Sequence, residues 1–392
     1  MTTLGIFTVK TFRAHEGRWY TYGGFGEYLA EIRKHFDRVI LVCHVRNGPP
    51  PKGHYEVPGD NLEIVRLPAW PTEAGALAAS PIMLVKSLEA VRRMDVAHAR
   101  MPDYTGVIGA FACRIAGVPC FHQIIDDWAV LARSIPAGKA FGLGLLLKAH
   151  LHLYDWLERQ VSRGQLVFAQ GRTAYDKHAP HSDAELVLSS AHHLGDVIAP
   201  APRFGGPGRQ VLCVGRLQSV KNHALMIEAI ARLGPEWRLT IVGTGPLEGM
   251  LRQKAEGLGV GDRVAFAGHV RHGPELWRHY DEADLFVLPS LSEGTPKVVL
   301  EAMARGAPVV ASAVSGVPTA VADGERGLLF PSGNLEALVA ACERMASDPA
   351  LRERCQAQAH DFAREQTVEA STERMLQKVR ARWPQLGADP RA

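Results

Sequence analysis

Short apolar runs alternate along this chain with segments whose apolar positions recur every three or four residues. In the first half the runs are Leu4–Val9, Val39–Cys43, Leu62–Leu67, Val96–Ala99, Cys120–Ile125 and Leu166–Ala169. Runs of this length, bounded by turn formers, predict buried strands, and Phe25–His35, Ser80–Arg93 and Thr105–Ala116 between them carry the helical period. The stretch from Ala199 to Gly208, APAPRFGGPG, breaks the rhythm and reads as a linker. Strands are predicted again at Val211–Val214, Arg238–Val242, Val264–Ala267, Leu285–Leu288, Val309–Ala311 and Leu328–Phe330. The matching helices are Asn222–Leu233, Leu247–Leu258, Glu275–Glu282, Pro296–Arg305, Val317–Asp323 and Leu335–Ala346, and Asp348 to Trp383 reads as charged helix. Strands alternating with helices predict parallel, doubly wound sheets, so the expected class is α/β with two Rossmann-like domains. The expected boundaries are 1–200 and 201–370, with 371–392 as a tail expected to pack back on the first domain. Two such domains facing across a cleft would place ligands at the carboxyl ends of both sheets.

Length agrees with this division, because 392 residues exceed what one hydrophobic core supports. Charge is balanced, 44 basic against 41 acidic side chains, with no charged tail, which argues against a nucleic-acid partner. The six cysteines, Cys43, Cys113, Cys120, Cys213, Cys342 and Cys355, lack metal-site spacing and mostly sit in apolar runs. They read as small buried hydrophobes in a reducing compartment. The amino terminus reads as a strand rather than a signal peptide, and no run approaches a membrane span, so a cytoplasmic location is expected.

The chemistry concentrates between Leu285 and Val310. An apolar run ends in Pro289-Ser290, and Glu293 and Glu301 then flank the start of one helix. Thr295 fits its N-cap and Pro296 its first position. Free N–H groups at such a start favour an anion such as a phosphate, while carboxylates beside it suit sugar hydroxyls. Upstream, Gly215 lets the chain turn sharply after a strand, and Arg216 and Lys221 follow as two cations able to grip a diphosphate. Val242-Gly-Thr-Gly-Pro-Leu247 is a strand-to-helix turn built on Gly243 and Gly245, and Gly268-His269-Val270 ends the next strand. In the first half, Tyr22-Gly-Gly-Phe-Gly-Glu27 places Gly23 and Gly24 between a strand and a helix.

Gly215-Arg-Leu217 with Lys221-Asn222, followed by Ser292-Glu-Gly294, Leu300-Glu-Ala-Met-Ala304 and Pro308-Val-Val310, resembles family 4 of the retaining glycosyltransferases, which have the GT-B fold. The resemblance covers most of the second domain. It implies a nucleotide-diphosphate sugar donor, UDP- or GDP-linked, bound mainly there, with no cofactor and no metal. By it Arg216 and Lys221 neutralise the donor diphosphate, Glu301 holds ribose hydroxyls and Glu293 faces the transferred sugar. Gly294, Thr295, Pro296 and Lys297 would contact sugar and phosphate, although many members carry Gly-Phe-Gly there. Gly243, Gly245 and the backbone at His269 and Val270 would lie near the nucleotide. Gly23 and Gly24 resemble the family's glycine loop near donor phosphate and acceptor.

On the acceptor side, many relatives place a histidine just beyond the strand that follows a Gly-x-Pro turn. Here His122 falls inside the predicted strand, and Asp126 or Asp127 falls at its end, as in a subgroup with an Asp-containing loop ending in Trp. Either aspartate is therefore favoured for positioning or deprotonating an acceptor hydroxyl. Arg100, ending another strand, suits an anionic acceptor group or an ordinary loop. Phe141 to Trp156 is apolar with scattered basic groups, which fits peripheral docking at the inner face of a membrane or a core helix with one wet face. The expected activity is transfer of a sugar with retention to a hydroxyl of a glycan or lipid-linked acceptor, in polysaccharide or glycoconjugate biosynthesis. The rivals are an epimerase of the same fold and a non-catalytic subunit that binds nucleotide sugars.

Overall fold

The computed structural model describes residues 2–51, 53–57, 59–68, 73–125, 128, 141–206 and 208–386. The chain divides into two compact units, Met1–Val187 with Thr372–Ala392, and Leu188–Ser371.

In the first unit the strands are β1 (Thr3–His15), β2 (Arg18–Thr21), β3 (Arg38–Asn47), β4 (Tyr55–Val57), β5 (Leu62–Leu67), β6 (Val96–Met101), β7 (Cys120–Ile124), β8 (Leu166–Gln170) and β9 (Asp183–Val187). The parallel strands run in the order β5-β3-β1-β6-β7-β8-β9, so the winding reverses between β1 and β6. Two short strands absent from the apolar pattern, β2 and β4, add an antiparallel edge on the polar extension of β1, where Arg13 pairs with Tyr20. A third, β9, extends the other edge beside β8. Side chains alternate between two buried layers, as a sheet covered on both faces requires. On β3, Val39, Leu41 and Cys43 enter one layer while Ile40 and Val42 enter the other. Met375, Leu376 and Val379, from the Val368–Arg382 helix, are buried in the first of these layers. The helix expected from Ser80 begins earlier, at Glu73, and carries Pro81 inside it.

In the second unit the strands are β10 (Arg209–Val214), β11 (Trp237–Val242), β12 (Val264–Gly268), β13 (Leu285–Leu288), β14 (Val309–Ser312) and β15 (Leu328–Phe330). All pair in parallel in the order β12-β11-β10-β13-β14-β15. Renumbered within the unit this is 3-2-1-4-5-6, the doubly wound order whose reversal lies between the first and fourth strands. Val211, Leu285 and Val287 face one layer, and Leu212, Phe286 and Leu288 face the other. Among the described residues no helix is long and apolar enough to cross a membrane.

Candidate active site

The winding of the second sheet reverses between β10 and β13, and the segments leaving these two strands carry the predicted acid and cations. After β10 the chain turns through a short 3-10 turn, Ser219–Lys221, into Asn222, whose φ of 50° and ψ of 40° are left-handed. Asparagine tolerates that conformation better than most side chains. The His223–Arg232 helix begins there. After β13 the chain runs through Ser290 to Glu293, and the Leu291 N–H donates to the Val220 carbonyl at 2.8 Å, tying the two exits together.

This brings Lys221 onto Glu293. The ammonium donates to Glu293 Oε1 at 2.6 Å, and the Ser290 hydroxyl donates to the same oxygen at 2.6 Å. Ser290 is itself held by its carbonyl, which accepts from the Ser312 hydroxyl at 2.6 Å and from Ser332 at 3.4 Å. Glu293 is thus fixed by one oxygen, and among the described residues no hydrogen bond engages Oε2. Arg216 is exposed on the β10 exit and has no ion pair among the described residues. A Cβ at Gly215 would lie 3.7 Å from the Lys221 stem and 3.8 Å from His223 Nε2, so the glycine sits against both side chains. Burial, then the Lys221 charge, pushes the His223 imidazole down to about 4, leaving it neutral at pH 7.

The helix that follows Glu293 differs from expectation. It spans Lys297–Ala304, and Pro296 rather than Thr295 occupies the cap, with φ −79° and ψ 76°. The Thr295 hydroxyl caps nothing: it is buried without a hydrogen-bond partner among the described residues. Two of the N–H groups that a helix start leaves open are engaged by the chain itself, Lys297 by the Thr295 carbonyl at 2.9 Å and Val299 by the Pro296 carbonyl at 2.9 Å, which also accepts the ordinary helical bond from Leu300 at 3.3 Å. Pro296 has no N–H to offer, and with Lys297 and Val299 already engaged the anion-binding capacity of the helix start is correspondingly reduced. Gly294 is exposed, and Lys297 is half-buried at the first helical position.

Glu301 is the fifth residue of the Lys297–Ala304 helix and is buried. Its Oε2 accepts from the Tyr280 hydroxyl at 2.8 Å, and His272 Nε2 lies 3.5 Å from its Oε1. Burial pushes this carboxyl up, but the His272 contact and the Tyr280 hydroxyl outweigh it and hold the group below the usual carboxylate range. Neither Tyr280 nor His272 was foreseen. Tyr280 reads as one more apolar-face position of the Pro274–Glu282 helix, and only folding places it on Glu301.

The glycine turn after β11 has a packing role. Gly243 has a φ of 139°, and a Cβ there would fall 1.9 Å from the Gly215 carbonyl oxygen; one at Gly245 would fall 2.4 Å from the Leu217 oxygen. The β10 and β11 exits lie in backbone contact, joined by Gly215 N–H to the Val242 carbonyl at 2.9 Å and Leu217 N–H to the Thr244 carbonyl at 3.0 Å. Gly243 N–H in turn donates to the Gly268 carbonyl at 2.7 Å, and His269 beyond it is exposed while Val270 packs against the core.

In the first unit Gly23 takes a φ of 72°, and Gly24 caps the Phe25–Ile32 helix. His122 is buried within β7, bonded through Nδ1 to the Ser162 hydroxyl at 3.0 Å, and burial, then the His178 charge, pushes it down to about 3. Asp126 and Asp127 lie outside the described residues. In the Phe141–Ser162 helix, Leu151 and Tyr154 are buried whereas Leu153 and Trp156 are exposed.

Residues 198–362 match the family model described as glycosyl transferases group 1. The D-inositol 3-phosphate glycosyltransferase of Mycolicibacterium smegmatis is 37% identical over 314 residues, covering 75% of this chain and 70% of that protein. Several other curated relatives are matched over less than half of their length. Among solved structures, sucrose-phosphate synthase from Thermosynechococcus elongatus superposes with a TM-score of 0.72 at 20% identity, over 98% of this chain and 100% of that one. The Anabaena protein HepE, in complex with UDP, gives 0.70 at 18% identity, over 97% and 100%. The fold is that of the two-domain GT-B enzymes, and the chain belongs to the group 1 glycosyltransferases.

Proposed function

We propose that the protein transfers a sugar from a UDP- or GDP-linked donor to a hydroxyl of a glycan or lipid-linked acceptor, with retention of anomeric configuration and without a metal. The Lys221–Glu293 pair carries this reading. Breaking the sugar–phosphate bond builds negative charge on the leaving diphosphate. Lys221 keeps two further N–H bonds for that charge and Arg216 adds a second cation, so stabilisation is fixed in place before reaction. Glu293 Oε2 suits a sugar hydroxyl. Each Glu301 oxygen retains a second acceptor direction, so Tyr280 and His272 orient a carboxylate that can still accept from ribose. Gly243, Gly245, His269 and Val270 are assigned to the nucleotide side, and Gly294, Thr295, Pro296 and Lys297 to sugar and phosphate. Gly23, Gly24 and one of Asp126 and Asp127 are assigned to the acceptor side. The acceptor oxygen attacks the anomeric carbon on the face the phosphate leaves, and its proton passes to the departing phosphate oxygen. The name of the mycobacterial relative supports glycosyl transfer, and the UDP of the HepE structure supports a nucleotide-linked donor.

A panel of UDP- and GDP-sugars, with extracted glycans and lipids as acceptors, tests this. Nucleotide release coupled to a retained glycoside is expected. Lys221→Ala should lower kcat about 10²–10³-fold, the size of losing one oxyanion donor, and Glu293→Gln should lower it as well by removing the charge that holds the Lys221 ammonium. Binding without turnover under every condition would instead assign a nucleotide-sugar-binding subunit, and epimerised free donor would assign the epimerase.

A further inference from the structure

The first sheet reverses its winding between β1 and β6, as the second does between β10 and β13, and two cations stand just past that reversal. The β1–β6 pairing runs from Leu4 with Val96 to Phe7 with Ala99. Arg100 is the next residue on β6. Lys10 lies three past Phe7, where β1 slips register against β3 between Phe7 and Thr11. Both side chains are half-buried and both lie against one short stretch of chain. Lys10 Nζ is 4.4 Å from the centroid of the Tyr22 ring, and the Arg100 guanidinium is 4.9 Å from that of Phe25 and 5.1 Å from that of Tyr28. Gly23 lies between these rings in sequence, and a Cβ on it would lie 4.0 Å from Lys10 Nζ. The Phe25–Ile32 helix starts there with no side-chain cap.

Several other partly or fully buried cations of this protein are paired with its own carboxylates or donate to several main-chain carbonyls. Lys221 has Glu293, Lys177 has Asp155 and Glu158, and Arg305 has Asp281. Arg203 and Arg352 each donate to several main-chain carbonyls. Among the described residues Lys10 and Arg100 form no ion pair, and the Arg100 guanidinium donates to the neutral Gln123 amide. Asp103, whose charge reaches Arg100, is engaged by the main chain: its Oδ1 accepts from Gly106 N–H at 2.6 Å and its Oδ2 from Val9 N–H at 3.1 Å. Burial, then the Arg100 charge, lowers the Lys10 ammonium below its ordinary value. Two half-buried like charges with no ion-pair partner among the described residues repel each other, and an anion between them reverses the sign of that interaction.

We propose that Lys10 and Arg100 form an oxyanion subsite in the first unit that takes a phosphate-type group of the acceptor. The planar guanidinium, held over two aromatic rings, presents its fork to two phosphate oxygens, and the ammonium supplies a point charge beside it. The subsite stands on these residues alone; its assignment to the acceptor rests on the transferase reading above.

Inorganic phosphate is the probe. Its stabilisation of the full-length protein, against chloride at matched ionic strength, is compared among the wild type, Lys10→Gln, Arg100→Gln and Lys221→Gln. Both first-unit variants should weaken the phosphate response about tenfold, as loss of one charge-assisted contact does, while Lys221→Gln, at the donor cations, should weaken it less. An undiminished response in both first-unit variants, or one lost only in Lys221→Gln, overturns the subsite. UDP titrated into the same proteins separates the two sources of phosphate. Unchanged UDP affinity in the first-unit variants supports an acceptor group, whereas a loss matching that of Lys221→Gln gives these cations to the donor and overturns the assignment. If Arg100→Gln does not fold, Lys10→Gln and the charge-preserving Arg100→Lys carry the test, the latter expected to keep part of the response. Phosphate bound at Lys10 and Arg100 with no nucleotide release from any donor would defeat the transferase reading and leave the subsite standing.

Discussion

Glu301 shows what a single residue inherits from partners that no local spacing reveals. Its identity as an acid near a helix start is legible in the sequence. Its state is not, because Tyr280 and His272 reach it from a helix and a loop some twenty to thirty positions earlier. Tyr280 is fully buried and Glu301 nearly so, so the hydroxyl–carboxylate bond has no water to replace it. Tyr280→Phe should therefore destabilise the second unit by about 1–3 kcal/mol, the cost of leaving a buried acceptor short of a donor. Chemical denaturation at pH 7 reads this directly, and an unchanged midpoint would mean that His272 alone suffices to hold the carboxylate. Thr295 teaches the converse. Its type fits an N-cap, but the proline after it takes the cap position, and the hydroxyl is buried instead. A residue's cap propensity is a local statement, and here the neighbouring ring decides the backbone.

At the scale of elements, apolar period locates the central strands and most helices, because burial on both faces forces continuous apolar runs. It misses β2, β4 and β9, which are short strands at or next to the sheet edges, with exposed or half-buried polar positions and no apolar run to mark them. The loops at the site are legible in part: the glycines at Gly243 and Gly245 are visible, but their reason is contact with the β10 exit rather than room for a ligand alone. Gly245→Ala would drive a Cβ into the Leu217 backbone and disturb the Leu217 N–H to Thr244 and Leu247 N–H to Leu217 bonds. It should destabilise the second unit by about 1–3 kcal/mol, as overpacking does, and lower turnover because Lys221 rides on the same exit. Gly249→Ala, in the Glu248–Gly257 helix with nothing within 4 Å of the added Cβ, is the matched control. It should be neutral or stabilising by up to about 1 kcal/mol. Equal losses in the two variants would show that helix or loop glycines as such, rather than this backbone contact, set the stability.

At the scale of the whole molecule, the alternation of strand and helix predicts two doubly wound sheets, but not the strand orders, which depend on pairings between distant segments. Nor does composition reveal that the segment ahead of the Gly/Pro-rich stretch belongs with the second unit. His192 is buried and its Nε2 hydrogen-bonds the Ala363 carbonyl at 2.9 Å, and Ile198 N–H bonds the Ala304 carbonyl at 3.0 Å. Each unit also encloses a neutral histidine, His122 in the first, held at about 3, and His223 in the second, held at about 4. A histidine whose folded pKa lies below its unfolded value of about 6.5 gives no pH dependence above that value, where both states are neutral. As pH falls from about 6.5 towards the folded pKa, the unfolded chain takes up a proton that the folded chain refuses, and stability is lost. The limiting slope is about 1.4 kcal/mol per pH unit for each such group. Asp103 acts in the opposite sense in the first unit: burial pushes its carboxyl up to about 7, so its contribution is present below about 4 and lost as pH rises through 7. Acidification from pH 7 to 5 should therefore destabilise the second unit by about 2 kcal/mol through His223, whereas in the first unit the gain from Asp103, about 2 kcal/mol, cancels the loss from His122. Denaturant titrations at both pH values, followed by amide exchange to separate the units, should find that His223→Gln flattens the second unit's pH dependence and leaves the first unit's unchanged. His122→Gln should leave the second unit's slope unchanged and uncover the Asp103 gain, so that the first unit becomes more stable from pH 7 to 5. If either variant keeps the wild-type slope in its own unit, the acid sensitivity lies in other groups and the buried imidazoles are not held neutral.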